Sequence, residues 1–166
     1  TVEDAFAVQP PEDCDLAFAT QTTLSADETA EIITVLQHRF PEIRGPKGED
    51  ICYATTNRQN AVKAMAKDVD LCLVIGAQNS SNSKRLVETA LNAGIAKAEL
   101  IADSKMLPYE LIDNAAVIGL TAGASAPEIL IDEVLTALSE RYQIEVNNQN
   151  FITEKMQFKL PSMLTK

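Results

Sequence analysis

The hydrophobic and polar positions of the chain repeat one pattern four times. Each repeat is a short apolar run, a cluster of Thr, Ser, Asn or Gly, and then a segment with apolar residues at helical spacing. The apolar runs occupy residues 15–19, 51–53, 71–75 and 116–120, and residues 98–102 form a further run. Strands alternating with helices are typical of a parallel sheet covered on both faces. The pattern therefore predicts an α/β fold with parallel sheets and helices on both faces.

Polar pairs indicate where the helices begin. A Ser or Thr followed three residues later by Glu or Gln can form a capping box, in which each side chain satisfies a free backbone N–H. Such pairs are Ser25 with Glu28, Thr56 with Gln59, and Ser125 with Glu128. Pro41 and Gly94 are plausible helix ends. We expect the first helix at about residues 25–40 and the last to end near residue 140.

The repeats divide the chain into unequal parts. Residues 1–44 hold one strand–loop–helix element, too little for a core, and are interpreted as the trailing part of an α/β domain whose earlier strands are missing. Residues 45–48 are a Gly- and Pro-containing linker, and residues 49–142 form a complete α/β domain. Residues 143–166 form a tail with an edge strand at residues 156–160, which is expected to dock elsewhere. The chain does not begin with Met, which is a first hint that it has been cut from a longer protein.

Composition narrows the possible functions. The 166 residues are 46% hydrophobic and 23% charged, which indicates a globular protein. The formal net charge of −10 would repel a nucleic-acid backbone, so nucleic-acid binding is not expected. No apolar run is long enough for a membrane span and no secretory signal is visible. Three irregularly spaced cysteines do not suggest a disulfide framework, and a reducing, cytoplasmic setting fits better.

The polar clusters point to an anion site. Ligands of parallel α/β sheets collect at the carboxyl ends of the strands, and all four clusters are expected at that edge. Helix N-termini flanked by hydroxyls and amides commonly bind phosphate. The candidate phosphate contacts are Ser80, Ser81, Asn82 and Ser125. For a single cluster helix capping is the better explanation, whereas four clusters at one edge balance capping and phosphate binding about evenly. No P-loop or dinucleotide-binding glycine motif is present, which disfavours an NTPase or a dinucleotide-binding domain.

Cys52 differs from the other two cysteines. Cys14 precedes an apolar run and Cys72 lies inside one, where cysteine usually behaves as a small buried apolar residue. Cys52 lies where a predicted strand meets a Thr- and Asn-rich cluster, so it could be a metal or cluster ligand or a nucleophile. For a single cysteine, however, a place in the core is the safer prediction from chemistry alone. The single histidine, His38, falls on the expected solvated side of its helix, which makes a Cys–His nucleophilic pair hard to build.

Four blocks of sequence carry a resemblance to a known family. They read QTTLS at residues 21–25, ICYATTNRQ at 51–59, NSSNS followed by RL at 79–86, and TAGASAP at 121–127. In order and spacing they resemble the 4-hydroxy-3-methylbut-2-enyl diphosphate reductase (LytB) family. The resemblance implies a three-domain α/β enzyme around a 4Fe-4S cluster, with one cysteine ligand from each domain. It also implies that this chain is a C-terminal fragment. Residues 1–44 would then be the trailing part of the middle domain, residues 49–142 the C-terminal domain, and residues 143–166 a tail that docks on the missing N-terminal region.

The resemblance also implies an activity. The family removes the allylic hydroxyl of 4-hydroxy-3-methylbut-2-enyl diphosphate reductively, giving isopentenyl and dimethylallyl diphosphate, the last step of the non-mevalonate (MEP) isoprenoid pathway. Electrons are expected from ferredoxin or flavodoxin. The alternative is a stand-alone phosphate-binding α/β module without redox activity.

Individual roles follow by position in the matching blocks. Cys52 corresponds to the third cluster ligand, and Thr22 to the hydroxyl that contacts the reacting end of the substrate. The expected diphosphate contacts are Ser80, Ser81, Asn82 and Ser125. The proton-donating glutamate and the other two cluster cysteines are expected upstream of this chain, so no catalytic residue is assigned within it. The isolated chain is therefore expected to be inactive.

Overall fold

The computed structural model describes residues 1–46 and 50–149. Six helices and three strands lie in this part of the chain. In chain order they are α1 (Val2–Ala7), α2 (Ala26–Arg39), α3 (Tyr53–Met65), β1 (Leu71–Ile75), α4 (Ser81–Asn92), β2 (Lys97–Ile101), α5 (Tyr109–Ile112), β3 (Ile118–Ala122) and α6 (Ile129–Arg141). Short 3-10 turns lie at Ala66–Asp68 and Ser104–Met106.

The three strands form one parallel sheet in the order β2-β1-β3. At the carboxyl end of the sheet, Ile75 of the central strand pairs with Ile101 on one side and Ala122 on the other. Every residue of β1 is buried, as expected for a strand with helices on both faces. The predicted α/β class with a parallel sheet is confirmed.

Successive side chains of β1 point into two separate cores. Leu71, Leu73 and Ile75 pack on one face with residues of α6 such as Val134 and Leu138. On the other face, Cys72 and Val74 pack with Val62 of α3 and with Leu86 and Ala90 of α4. Full burial of each large aliphatic side chain contributes about 1.5–3 kcal/mol. These two cores fix α3, α4 and α6 against the sheet and so fix where their N-termini lie.

Several predicted helix ends are confirmed. Ser25 is the N-cap of α2, and its side chain accepts a hydrogen bond from the N–H of Glu28 at 3.4 Å. The carboxylate of Glu28 pairs with Arg85 at 3.0 Å. Pro41 follows the last cap residue of α2, and Gly94, with φ +97°, follows that of α4. A positive φ is a conformation that glycine adopts readily.

The predicted strand at residues 15–19 is wrong. This segment makes a single parallel bridge, between Ala17 and Arg44, in which the N–H of Phe18 donates to the carbonyl of Arg44 and the N–H of Arg44 to that of Leu16. A strand requires a longer run of such pairings. The first 46 residues instead hold α1 and α2, and the Arg39 guanidinium donates to the carbonyls at the end of α1. The sequence pattern did not predict α1.

The predicted strand at residues 51–53 is also wrong. Helix α3 begins at Tyr53 with Cys52 as its N-cap, so Thr56 and Gln59 lie inside the helix and cannot form the predicted capping box. The N–H of Thr56 donates to the carbonyl of Cys52 at 3.0 Å, as in any first helical turn. The side chain of Gln59 binds the backbone around the start of α2 instead.

The third strand starts later than predicted. β3 begins at Ile118, because the carboxylate of Asp70 accepts the N–H groups of Ala116 and Val117 at 3.0 and 2.9 Å. The predicted capping box of Ser125 with Glu128 is wrong as well. Glu128 itself is the N-cap of α6, without a side-chain hydrogen bond.

The predicted division into a domain remnant, a linker, a complete domain and a tail stays a prediction. Residues 45–46 of the expected linker have no regular structure, while residues 47–48 and the expected edge strand at 156–160 lie outside the described residues. Within residues 1–46 and 50–149, no helix has the length and apolar character needed to cross a membrane.

Candidate functional site

The carboxyl ends of β1 and β3 meet around the side chain of Ser83. A Cβ added to Gly76, just after β1, would lie 2.1 Å from the Ser83 Oγ. A Cβ added to Gly123, just after β3, would lie 2.3 Å from the same atom. The N–H of Gly123 also donates to the carbonyl of Ile75 at 2.8 Å. The two strand ends are therefore packed tightly through one hydroxyl.

The N-terminus of α4 lies at this junction. Ser80 is the N-cap, and its Oγ accepts hydrogen bonds from the N–H and the Oγ of Ser83 at 3.3 and 3.0 Å. The structure thus gives Ser80 the capping role that was the simpler explanation of its cluster. Ser81 is the first residue of the helix and is exposed. Free backbone N–H groups and the helix dipole make such a terminus favourable for an anion.

Asn82 is the unusual residue of this terminus. Its side chain is 7% exposed, and neither its Oδ1 nor its Nδ2 has a hydrogen-bond partner within the described residues. The Nδ2 lies 3.6 Å from the position of a Cβ on Gly123, so the amide faces the segment that follows β3. Buried polar atoms without a partner are rare and cost about 1–3 kcal/mol each. The amide therefore has hydrogen-bonding capacity that the described part of the chain leaves unused.

Ser125 lies in the turn that follows β3. The N–H of Ala126 donates to the carbonyl of Gly123 at 2.9 Å and closes the turn, which leaves Ser125 exposed. This turn and the N-terminus of α4 are the segments next to Gly123. Ser80, Ser81, Asn82 and Ser125 thus belong to two segments that meet at one edge of the sheet.

Cys52 and Thr22 form a second pair of candidate residues. The N–H of Cys52 donates to the carbonyl of Thr22 at 3.1 Å, and both residues are exposed. The Cys52 side chain makes no capping hydrogen bond at the start of α3. The sulfur is therefore at a helix N-terminus, where the dipole favours negative charge, without being used to cap the helix.

Two residues that the sequence analysis did not assign connect these segments. Arg58 of α3 donates from Nε to the carbonyl of Ala122, at the end of β3, across 3.1 Å. Gln59 donates from Nε2 to the carbonyl of Leu24 at 2.9 Å and accepts the N–H of Ala26 at 3.2 Å. Both lie in the ICYATTNRQ block, but side chains that bind distant carbonyls leave no spacing pattern that sequence could reveal.

The remaining candidate ligands lie elsewhere. Cys72 is buried in β1, and burial raises the pKa of its thiol to about 12, which keeps it neutral. Cys14 is exposed near the chain start, and its thiol donates to the carbonyl of Pro11. His38 is exposed, as predicted. Among the described residues no three His, Cys, Asp or Glu side chains are grouped to hold a metal, so Cys52 could supply at most one ligand of a larger set.

Comparison with known proteins decides the family. Residues 1–139 match the family model described as LytB protein. This chain belongs to the LytB family. It is 52% identical over 164 residues to the 4-hydroxy-3-methylbut-2-enyl diphosphate reductase of Paracoccus denitrificans, covering 99% of this chain and 52% of the relative. It is 49% identical over 162 residues to the enzyme of that name from Gluconobacter oxydans, covering 98% and 48%.

Solved structures agree with this family membership. The E-1-hydroxy-2-methyl-but-2-enyl-4-diphosphate reductase from Plasmodium falciparum superimposes with a TM-score of 0.85 at 32% identity, over 99% of this chain and 52% of that one. The LytB-family chain therefore spans about half the length of the relatives that it matches. The predicted family and fold class are confirmed, while the role of each site residue stays a prediction.

Proposed function

We propose that this chain contributes the diphosphate-binding part and one cluster ligand of a 4-hydroxy-3-methylbut-2-enyl diphosphate reductase. The activity replaces the allylic hydroxyl of the substrate by hydrogen and gives isopentenyl and dimethylallyl diphosphate. Relatives that bear this enzyme name match nearly the whole chain, which supports the proposal. Because the chain spans about half of them, the activity is assigned to a complete enzyme and not to this half alone.

The observation that carries the proposal is the buried amide of Asn82. Its two polar atoms have no hydrogen-bond partner among residues 1–46 and 50–149, and they lie at a helix N-terminus that favours anions. A diphosphate oxygen would accept a hydrogen bond from Nδ2 and recover part of the burial cost. In this proposal Ser80, Ser81 and Ser125 supply further contacts to the diphosphate from the same edge of the sheet.

Cys52 fits one position of an iron–sulfur cluster. Thiolates are the usual ligands of such clusters, and this sulfur is exposed at the start of α3 and takes no part in capping. When bound, a 4Fe-4S cluster would supply electrons and a Lewis-acidic iron for loss of the hydroxyl. The other ligands and the proton donor would come from parts of the enzyme outside this chain.

The backbone hydrogen bond between Cys52 and Thr22 supports a role for Thr22 in contacting the substrate. It holds the exposed Thr22 segment beside the residue that would ligate the cluster, where the threonine hydroxyl could orient the reacting end of the substrate. The hydroxyls and the Asn82 amide would hold the diphosphate end. Reducing electrons would come from a small carrier such as ferredoxin or flavodoxin.

Calorimetric titration of the 166-residue chain with inorganic diphosphate tests the anion site. The wild type should bind with a Kd of about 1 mM or tighter, and Asn82→Ala should weaken binding by about tenfold, the loss of one hydrogen bond to a charged group. Asn92→Ala, at the exposed end of the same helix, is the matched control and should bind like the wild type. No binding by the wild type at millimolar diphosphate would contradict the proposed site.

Cluster assembly tests the role of Cys52. In a full-length reductase whose second half is this chain, Cys52→Ser should remove activity and most of the visible absorbance of the cluster. Cys14→Ser, an equally exposed thiol, should leave both unchanged. The isolated chain, treated with iron and sulfide, should form no stable cluster. Normal turnover of the Cys52→Ser enzyme would exclude this cysteine as a ligand and favour a module without redox activity.

A further inference from the structure

Arg58 is placed differently from most arginines of the chain. Three of the five arginines pair with carboxylates, namely Arg44 with Asp15, Arg85 with Glu28 and Glu88, and Arg141 with Asp113. Within the described residues, Arg58 has no carboxylate partner. Its guanidinium donates to two backbone carbonyls of this part of the chain, those of Ala122 at 3.1 Å and Ala54 at 3.4 Å. The side chain is half-buried, so its charge is only partly screened by water.

The carbonyl that accepts the Arg58 hydrogen bond belongs to a peptide group that joins the end of β3 to the end of β1. In the peptide between Ala122 and Gly123, the carbonyl oxygen accepts a hydrogen bond from the Arg58 Nε, and the N–H donates to the carbonyl of Ile75. Gly123 is also the residue that faces the side chains of Ser83 and Asn82. The turn that carries Ser125 begins at this residue. Arg58 therefore holds the starting point of one proposed diphosphate-binding segment against the other.

Arg58 carries a positive charge in a chain whose overall charge is negative. The chain has a formal net charge of −10, which opposes the approach of a diphosphate. The Arg58 guanidinium has no carboxylate partner in the part of the chain that the structure describes, and it is hydrogen-bonded to the carbonyl that precedes Gly123. It therefore supplies local positive charge next to the N-terminus of α4, where Asn82 lies. A neutral side chain could preserve the packing but would not supply this charge.

We propose that Arg58 is a positioning residue for diphosphate binding, resting on the function proposed above. It acts in two ways, by fixing the Ala122–Gly123 peptide and by placing an uncompensated positive charge beside the two anion-binding segments. The first requires the geometry of a guanidinium, and the second requires only a cation. The two contributions therefore separate in substitutions by lysine and by glutamine.

Titration with inorganic diphosphate at several salt concentrations tests this proposal on the 166-residue chain. Arg58→Gln should weaken binding by about tenfold, the effect of losing a charged group, and should flatten the dependence of affinity on salt. Arg58→Lys should keep the salt dependence of the wild type while recovering only part of the affinity. A merely structural role would not produce this difference between the two variants.

Arg39 provides the matched control. It is another half-buried arginine that donates to two backbone carbonyls, those of Ala5 and Val8 at the end of α1, away from the sheet edge. Arg39→Gln removes the same charge and should leave affinity and salt dependence within twofold of the wild type. The proposal is overturned if Arg58→Gln binds like the wild type, or if Arg39→Gln loses as much affinity. Absence of binding by the wild type itself would instead refute the proposed anion site.

Discussion

The N–H of Cys52 donates to the carbonyl of Thr22 across 3.1 Å, so the proposed cluster ligand and the proposed substrate hydroxyl are joined through their backbones. The same region is held a second time by Gln59, whose amide binds the carbonyl of Leu24 and the N–H of Ala26. Helix α3 thus carries Cys52 at its start and fixes the Thr22 segment from its second turn. These hydrogen bonds, together with the ion pair between Glu28 of α2 and Arg85 of α4, connect the first 46 residues to the helices that cover the sheet.

Replacing Gln59 by leucine should destabilise the chain by about 2–4 kcal/mol. Gln59 is 1% exposed, and its loss leaves the partly buried carbonyl of Leu24 and N–H of Ala26 without this partner, each costing about 1–3 kcal/mol. Urea unfolding followed by circular dichroism measures the change. Gln37→Leu, at an exposed position of α2, should change stability by less than about 0.5 kcal/mol. Equal effects of the two variants would show that the Gln59 bonds do not hold α2.

Replacing Gly123 by alanine should be destabilising because of one atom. The new Cβ would lie 2.3 Å from the Ser83 Oγ but 3.5 Å from the Ser83 Cβ. Overpacking of this kind typically costs about 1–3 kcal/mol. The double variant Gly123→Ala/Ser83→Ala, which removes the hydroxyl, should recover part of that stability in the same unfolding measurement.

Gly76 provides the contrasting case. A Cβ at Gly76 would lie 2.1 Å from the Ser83 Oγ and also 2.7 Å from the Ser83 Cβ. Removing the hydroxyl therefore leaves a clash, and Ser83→Ala should not rescue Gly76→Ala. If both glycine variants were rescued equally, the two strand ends would not be packed through Ser83 as described.

The stability of the chain should fall at alkaline pH because of Cys72. Burial raises the pKa of its thiol from 9.0 to about 12, so the folded chain favours the neutral form. The resulting stabilisation is complete below about pH 9 and is lost as the pH rises toward 12, at up to about 1.4 kcal/mol per pH unit. Urea unfolding at pH 8 to 11 measures the slope.

The contribution of Cys72 is separated from that of other groups by substitution. Cys72→Ala should lower stability at neutral pH because it leaves a small cavity, but its stability should decline less steeply above pH 9 than that of the wild type. Cys14→Ala, which removes an exposed thiol, should keep the wild-type slope. Parallel curves for the wild type and Cys72→Ala would exclude a buried thiol as the cause.

Ser80 and Ser125 should respond differently to replacement by alanine. Ser80 caps α4 and bonds to Ser83, so Ser80→Ala should cost about 1 kcal/mol of folding stability as well as diphosphate affinity. Ser125 is exposed, and its side chain has no hydrogen bond among the described residues. Ser125→Ala should therefore weaken diphosphate binding without changing the urea midpoint. Unchanged diphosphate affinity in Ser125→Ala would remove this residue from the proposed site.

The sequence was sufficient to predict an element whose consecutive residues are all buried. The five residues of β1 are all apolar and all buried, so an uninterrupted apolar run predicted the strand at its observed position. The end of α2 shortly before Pro41 and the turn at Gly94 were also predicted, because proline restricts the allowed backbone angles and glycine extends them.

The sequence was insufficient where distant contacts decide the structure. Residues 51–53 read as a strand, yet α3 starts at Tyr53, and its position depends on bonds from Arg58 and Gln59 to remote backbone groups. β3 starts later than predicted because the carboxylate of Asp70 accepts the N–H groups of the two residues before it. Of the candidate site residues, Asn82 was predicted from its cluster, but its unpartnered burial could be recognised only from the structure.

Ser83 touches both glycines at the ends of β1 and β3 and is almost completely buried. Ser83 consequently packs between the N-terminus of α4, which carries Ser80 and Asn82, and the turn that carries Ser125. A shift of either segment would displace the other. Diphosphate affinity at the proposed site would therefore be limited less by the exposed hydroxyls than by the small volume available around Ser83. A larger residue at position 83 would push the N-terminus of α4 and the turn after β3 apart from each other.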